Sequence, residues 1–155
     1  MKPHYYNVDI NWKNSRKGIM CSPELSKKNG TCIEVATPPE FAKGIEGIWT
    51  PEHLYVAAAS GCLMTTFLAI AENSILDFIS FNCAAKGKLE TVDGKLMMSE
   101  ILLKPKVIIH NEEHRNKTIR IVKKAESMCL ISRSIKSKIK MEITIEVKPL
   151  LIENS

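Results

Sequence analysis

The chain has 155 residues, of which 45% are hydrophobic and 25% are charged, and its formal net charge is +5. This length and composition indicate one globular domain over residues 1–155 and exclude a chain that is disordered by composition. Because the positive charge is small and aromatic residues make up only 6% of the chain, we expect no nucleic-acid partner.

The N-terminal segment MKPHYYNVDINWK has neither the apolar region nor the cleavage pattern of a signal peptide. We therefore expect a cytoplasmic protein, in which a disulfide is more often catalytic than structural. Of the five cysteines, Cys21, Cys32 and Cys83 fall on predicted strands and are expected to be structural. Cys21 and Cys32 flank one hairpin, but we expect no bridge between them in a reducing compartment.

Three strands are predicted before the first helix. The first has one buried face, because apolar and polar residues alternate along it, the apolar ones being Tyr6, Val8, Ile10 and Trp12. The second and third span residues 17–21 and 31–36, and the turn-rich connection SPELSKKNG, ending in Asn29-Gly30, joins them.

A long central helix is predicted from about Pro51 to about Glu72, with Thr50 as its N-cap. Residues 54–71 carry no charge, so a membrane span has to be weighed, but hydroxyl and alanine residues moderate the hydropathy and we expect no membrane partner. An apolar helix of a water-soluble protein must be covered on all sides. Since a chain this small lacks the residues to do so, we expect a homodimer.

The second half of the chain is predicted to hold strands, a helix pair and a final strand. The strands span residues 79–89, 96–103 and 106–110, with a hairpin turn at 92–95 and an edge or a bulge at Pro105. Helices follow at 112–128 and 132–137, and the last strand spans 139–147. This order predicts an α+β fold with an antiparallel or mixed sheet.

Cys62 and Cys129 are the candidate reactive residues, although a cysteine in an apolar helix is most often a small core residue. Cys62 lies about 11 residues into the central helix, too far from its N-terminus for the helix dipole to stabilise a thiolate. A cation must therefore reach it, and Arg16, between two predicted strands, is the best candidate. A helix restarting at Ser132 would point amide groups toward Cys129.

Glu52 is the natural partner of a buried arginine. It precedes Cys62 by 10 residues on the same helix, a separation of about 15 Å. We therefore expect Glu52 to serve the Cys62 of a two-fold mate. His110 and His114 have a spacing that can bind a metal, but no third ligand stands out and we expect no metal site.

Several of these residues together resemble one family. They are TPEHL at residues 50–54, AAASGC ending at Cys62, and Cys129 with Ser132 three positions later. The pattern resembles the OsmC/Ohr family, the osmotically inducible and organic hydroperoxide resistance proteins. It resembles the OsmC-like branch of that family more than the Ohr branch. One departure is Leu130, where the family often has a proline after the second cysteine.

The resemblance implies an intertwined α+β homodimer, in which antiparallel or mixed sheets surround two long buried central helices. Its active sites would lie at the subunit interface, with Cys62 as the attacking cysteine, Cys129 as the resolving one, Glu52 as the carboxylate and Arg16 as the arginine. It implies a thiol-dependent peroxidase that reduces organic hydroperoxides through a Cys62–Cys129 disulfide. No cofactor would be needed beyond an external dithiol reductant protein, for which a dihydrolipoyl group is one candidate.

Two other functions stay open at this point. The same interface pocket could bind a small apolar ligand without catalysis, or oxidation of Cys62 and Cys129 could make the protein a redox sensor.

Overall fold

The structure is a computed structural model that describes residues 1–25 and 32–151. The chain divides into two compact units, residues 1–54 and 55–155, and the single domain over 1–155 stays a prediction. The Asn29-Gly30 turn, the start of the third strand at Thr31 and the end of the C-terminal tail lie outside the described residues.

The first unit contains an antiparallel three-stranded sheet. Its strands are β1 (Asp9–Asn14), β2 (Lys17–Cys21) and β3 (Ile33–Ala36), in that order across the sheet. The prediction of a buried face on the first strand is wrong, since all six residues of β1 are exposed and Trp12 is 74% exposed. Alternation identifies which side chains share a face, but not whether the same chain covers that face.

Cys21 and Cys32 form a disulfide, with their Cα atoms 4.4 Å apart. The expectation of no bridge was therefore wrong. The reason lies in the strand register, which pairs Met20 with Ile33 and so sets the next two residues outward, the cysteines, opposite each other. An expectation drawn from the compartment does not include this geometry.

The central helix α1 spans Pro51–Asn73, close to its predicted bounds. Its start is fixed by Trp49, whose carbonyl accepts a hydrogen bond from the Ala36 N–H at 2.9 Å, and by Thr50. The buried Thr50 side chain accepts from the His53 N–H at 3.3 Å, as expected of an N-cap.

The second unit contains a mixed sheet, which confirms the predicted α+β class. The long antiparallel strands β4 (Ser80–Val92) and β5 (Lys95–Ile109) are joined by the predicted hairpin turn, where Asp93 and Gly94 have φ of 49° and 74°. Positive φ at both central residues is the geometry of a type I′ turn. The short strands β6 (Lys138–Met141) and β7 (Thr144–Val147) both pair with β5 in parallel.

The two strands predicted on either side of Pro105 form one strand, β5, but the edge predicted at Pro105 is present locally, since β6 and β7 pair with β5 only before and after it. Pro105 pairs with Cys83 of β4, and on its other side it faces the break between β6 and β7. A proline cannot donate to a sheet ladder, and the break lies beside it. The predicted single last strand over 139–147 is divided at this break.

The predicted helix over 112–128 begins as a 3₁₀ turn, Glu112–His114, and continues as α2, Arg115–Met128. The Asn111 side chain caps the turn by accepting from the Glu113 N–H at 2.9 Å. The next helix, α3, spans Leu130–Ser134 and so begins two residues before the predicted Ser132.

The core of the second unit joins α1, α2 and the sheet. One face of α1 is buried there, along with residues of β5 and α2; the buried set includes Ala59, Leu63, Phe67, Ile101, Leu103, Val107, Ile109, Val122 and Ala125. The opposite face is open, with Met64 and Leu68 exposed by 40% and 41%. A single chain therefore does not cover α1 on all sides. By length and composition alone α1 could cross a membrane, a test that core helices of water-soluble proteins also pass.

Phe67 should be the most sensitive position in this core. It is fully buried, stacks on Phe81 at 4.7 Å and meets Phe78 edge-on at 5.2 Å between ring centroids. We expect Phe67→Ala to lower the free energy of unfolding by about 3–5 kcal/mol through the cavity it leaves. Denaturant unfolding at fixed protein concentration measures this, with the exposed Leu96→Ala as the control, expected to cost less than about 1 kcal/mol. Equal losses in the two variants would contradict this account of the core.

Candidate active site

Cys62 and Cys129 are brought together within the second unit. Cys62 is partly exposed on α1, and Cys129 is fully buried at the junction between α2 and α3. Their side chains lie close enough for each thiol to shift the pKa of the other. The two cysteines are 67 residues apart in sequence, so packing of the helices in the core produces this contact.

The helical conformation is interrupted at Cys129, and this interruption orients the backbone N–H groups of the residues that follow. Cys129 has an extended backbone (φ −64°, ψ 117°) between the two helices. Its sulfur accepts a hydrogen bond from the Ser132 N–H at 3.5 Å, and its carbonyl accepts from the Arg133 N–H at 3.1 Å. The prediction that a restarting helix points amide groups toward Cys129 is confirmed.

Cys62 has a pKa below the ordinary thiol value. Burial alone raises the pKa, but four hydrogen bonds to the sulfur outweigh it, from the Cys129 thiol, the Ile131 N–H, the Thr66 hydroxyl and the Leu130 N–H. Hydrogen bonds to an anion stabilise it relative to the neutral thiol. Cys62 is therefore set to be a thiolate more often than a free cysteine is.

Cys129 has a pKa above the ordinary value. Burial is the main cause, and the interaction with Cys62 adds to it, while hydrogen bonds from Ser132 offset part of the rise. The two thiols are thus unlike: the pKa of Cys62 is lowered and that of Cys129 is raised, so Cys62 ionises first. This asymmetry is the arrangement a nucleophile and its resolving thiol require.

Three of the donors to Cys62 were not predicted from the sequence. Thr66 carries a readable signal, since it lies four residues after Cys62 and so on the same helix face. The N–H groups of Leu130 and Ile131 carry none, because backbone groups of a distant segment leave no mark in the residue pattern. Among the described residues, the groups that lower the pKa of Cys62 are neutral hydrogen-bond donors.

Arg16 and Glu52, the other predicted site residues, belong to the first unit. The Arg16 carbonyl accepts from the Thr37 N–H at 3.1 Å, and Arg16 lines a cavity of about 500 Å³ together with Trp12, Pro38 and other residues of that unit. Glu52 lies in the first turn of α1, and its buried Oε2 has no hydrogen-bond partner among the described residues. Their roles in chemistry stay predictions.

Neither His110 nor His114 forms part of a metal site in the described ranges, 1–25 and 32–151, where no group of three or more His, Cys, Asp or Glu residues could hold an ion. His110 Nδ1 lies 3.3 Å from the Lys148 carbonyl, a contact that ties the end of β5 to the residue after β7.

Residues 44–144 match the family model described as OsmC-like protein, a span that contains Glu52, Cys62 and Cys129. The chain belongs to the OsmC-like family. It is similar to an uncharacterized protein of Bacillus subtilis, YmaD, with 24% identity over 151 residues, or 96% of this chain and 97% of the relative.

Solved structures share the fold. An OsmC-like protein of unknown function from Vibrio cholerae matches with a TM-score of 0.79 and 22% identity, over 91% of this chain and 99% of that one. An organic hydroperoxide resistance protein from Elizabethkingia anophelis matches with a TM-score of 0.70 and 18% identity, over 96% of this chain and 100% of that one. These likenesses confirm the predicted OsmC-like α+β fold, in a family that includes proteins of hydroperoxide resistance.

The hydroxyl of Thr66 offers a sharp test of the site. Thr66→Val removes a donor to the Cys62 sulfur, so we expect the pH at which alkylation of Cys62 is half-maximal to rise, and the rate at neutral pH to fall. Iodoacetamide labelling of the reduced protein between pH 5 and 10, with peptide mapping, measures it. The matched control is Thr65→Val, because the Thr65 hydroxyl donates to the Cys62 carbonyl at 3.2 Å, not to its sulfur. A midpoint that moves equally in the two variants would contradict the assignment.

Proposed function

We propose that this protein is a cysteine-dependent peroxidase that reduces organic hydroperoxides. The observation that supports this most is the unequal thiol pair, in which Cys62 has a lowered pKa and interacts with Cys129, whose pKa is raised. A thiolate is the reactive form of cysteine, and a second thiol within contact gives its oxidised form a partner.

The reaction follows from these roles. The Cys62 thiolate attacks the outer oxygen of the hydroperoxide, the O–O bond breaks, and the alkoxide leaves and takes a proton to become an alcohol. Cys62 is now a sulfenic acid. The Cys129 sulfur attacks the Cys62 sulfur, the S–O bond breaks, and water leaves as the Cys62–Cys129 disulfide forms. A dithiol of an external reductant protein restores both thiols by exchange, and a dihydrolipoyl group is our candidate for it.

Organic hydroperoxides suit the surroundings better than hydrogen peroxide. The face of α1 next to Cys62 is apolar, with Leu63 and Phe67 fully buried. In the first unit taken by itself, Arg16 lines a cavity that is otherwise largely apolar, with Trp12 and Pro38 in its wall. We propose that Arg16 stabilises the thiolate and the developing alkoxide, that Glu52 orients Arg16, and that the reaction uses no metal or organic cofactor.

We propose that the active form is a cytoplasmic homodimer, with neither nucleic acid nor membrane as a partner. Two apolar surfaces of the single chain support the dimer, the open face of α1 at Met64 and Leu68 and the exposed apolar residues at and before β1. The buried Oε2 of Glu52, which has no hydrogen-bond partner within the part of the chain that the structure describes, fits a carboxylate that completes its contacts only in the assembled protein.

Variants in which one cysteine at a time is replaced by serine test the mechanism. We expect Cys62→Ser to abolish turnover of cumene hydroperoxide with dihydrolipoamide as reductant. Cys129→Ser should still consume about one equivalent of peroxide and accumulate the sulfenic acid, because its partner is missing. Cys83→Ser is the control and should keep full turnover, since Cys83 lies on β4.

Each contrary result has a definite meaning. Turnover by Cys62→Ser would overturn the assignment of the nucleophile. Full turnover by Cys129→Ser would overturn the two-cysteine mechanism. Wild-type protein that loses no thiols to stoichiometric peroxide would favour the binding protein, and fast oxidation without turnover would favour the redox sensor.

A charge on the open face of α1 tests the dimer. The chain has a mass of 17.4 kDa, so light scattering should give twice that value for the wild type. We expect Leu68→Glu to shift the protein toward monomer and to lower peroxidase turnover, because a carboxylate would be buried in an apolar interface. Leu96→Glu, at a position exposed on β5, is the matched control and should stay dimeric. A monomeric wild type with full activity would contradict the proposed dimer.

A further inference from the structure

The first unit contains a second pair of cysteines that the proposed peroxidase reaction does not use. Cys21 ends β2 and Cys32 immediately precedes β3. The ladder pairs Lys17 with Ala36 and continues to Met20 with Ile33, so the two cysteines occupy the next cross-strand position. Their Cα separation of 4.4 Å lies within the range that a disulfide spans. The strand register therefore places the two cysteines opposite each other.

The pair is also accessible to reagents in solution. Cys32 is exposed and Cys21 is half-buried. Disulfide exchange needs an attacking thiolate to approach one sulfur in line with the S–S bond, and exposed disulfides are the ones that exchange readily. The disulfide is therefore open to attack by a small dithiol, unlike the fully buried sulfur of Cys129.

We propose that Cys21 and Cys32 form a second, reversible dithiol–disulfide couple, separate from Cys62 and Cys129. In the reducing direction, one thiolate of a small dithiol attacks a sulfur of the bridge and releases the other as a thiolate. The second thiol of the reagent then closes its own ring and releases the remaining cysteine. Two electrons and two protons pass to the protein, and the reagent becomes a cyclic disulfide. In the oxidising direction, the two cysteines exchange with oxidised glutathione, the Cys21–Cys32 bridge forms, and two molecules of reduced glutathione leave.

The couple joins the two strands that hold Arg16. Arg16 directly precedes β2, and its carbonyl accepts from the N–H of Thr37, directly after β3. Between these ends the two strands are further joined by the ion pair of Lys17 with Glu34, at 2.9 Å. A closed bridge restrains the far end of the same two strands, so we infer that oxidation stiffens the support of Arg16. This last step rests on the proposed function of Arg16; the redox couple itself does not.

The test uses the full chain with Cys62→Ser and Cys129→Ser combined, which removes the proposed peroxidase thiols. The protein is equilibrated with oxidised glutathione or with dihydrolipoic acid, quenched in acid, alkylated and mapped by mass spectrometry. We expect a Cys21–Cys32 crosslink in the first condition and two alkylated thiols in the second, without denaturant. Cys83 should be alkylated in both. Because both proposed catalytic cysteines are absent, the outcome does not depend on peroxidase activity.

Hydrogen exchange then reports on the restraint. In the oxidised state we expect amides of β2 and β3 to exchange at least about tenfold more slowly than in the reduced state, since the crosslink disfavours local opening. Cys21→Ser with Cys32→Ser, added to the same Cys62→Ser and Cys129→Ser chain, is the matched control and should show no difference between the two buffers. Failure to form the crosslink, or a crosslink that dihydrolipoic acid removes only in denaturant, would overturn the couple. Equal exchange in both states would overturn the restraint on β2 and β3.

Discussion

The chemistry of the site depends on one balance at Cys62, where burial opposes ionisation and hydrogen bonds favour it. The cysteine lies deep in an apolar helix, where a thiolate would ordinarily be disfavoured. Two of the compensating donors are backbone N–H groups, from Leu130 and Ile131, which are free because a new helix begins there. The interruption between α2 and α3 at Cys129 therefore has two effects: it places the second thiol beside Cys62, and it supplies these N–H donors.

These hydrogen bonds to Cys62 require that the core of the second unit hold the α2–α3 junction against α1. The α2–α3 junction stays against α1 only if both helices pack on the same sheet, and the core residues Phe67 of α1, Val122 of α2 and Val107 of β5 make one continuous cluster. The opposite face of α1 remains open in the single chain. The same helix therefore carries Cys62, which contacts the α2–α3 junction, and an exposed apolar face that offers the surface for the proposed second subunit.

Most elements could be predicted because their signals are local. Thr50 and Pro51 marked the start of α1, and Asp93-Gly94 marked the β4–β5 turn, each through its own backbone preference. The failures were non-local. The break that divides the last strand lies opposite Pro105, on a neighbouring strand, and the Cys21–Cys32 bridge depends on register across β2 and β3. In the candidate site, Cys62 and Cys129 could be picked out from the sequence, but the backbone N–H groups of Leu130 and Ile131 that donate to Cys62 could not.

The departure at Leu130 gains a physical meaning from the structure. The family resemblance leads one to expect a proline after the second cysteine, and a proline has no N–H to donate. The Leu130 N–H is one of the groups that lower the pKa of Cys62, so this chain has a donor that a proline at the same position would remove. The same residue is the first of α3, a position that proline also tolerates well. Leucine at this position therefore preserves the helix start while adding a hydrogen bond to the thiolate, which favours a reactive Cys62 in this chain.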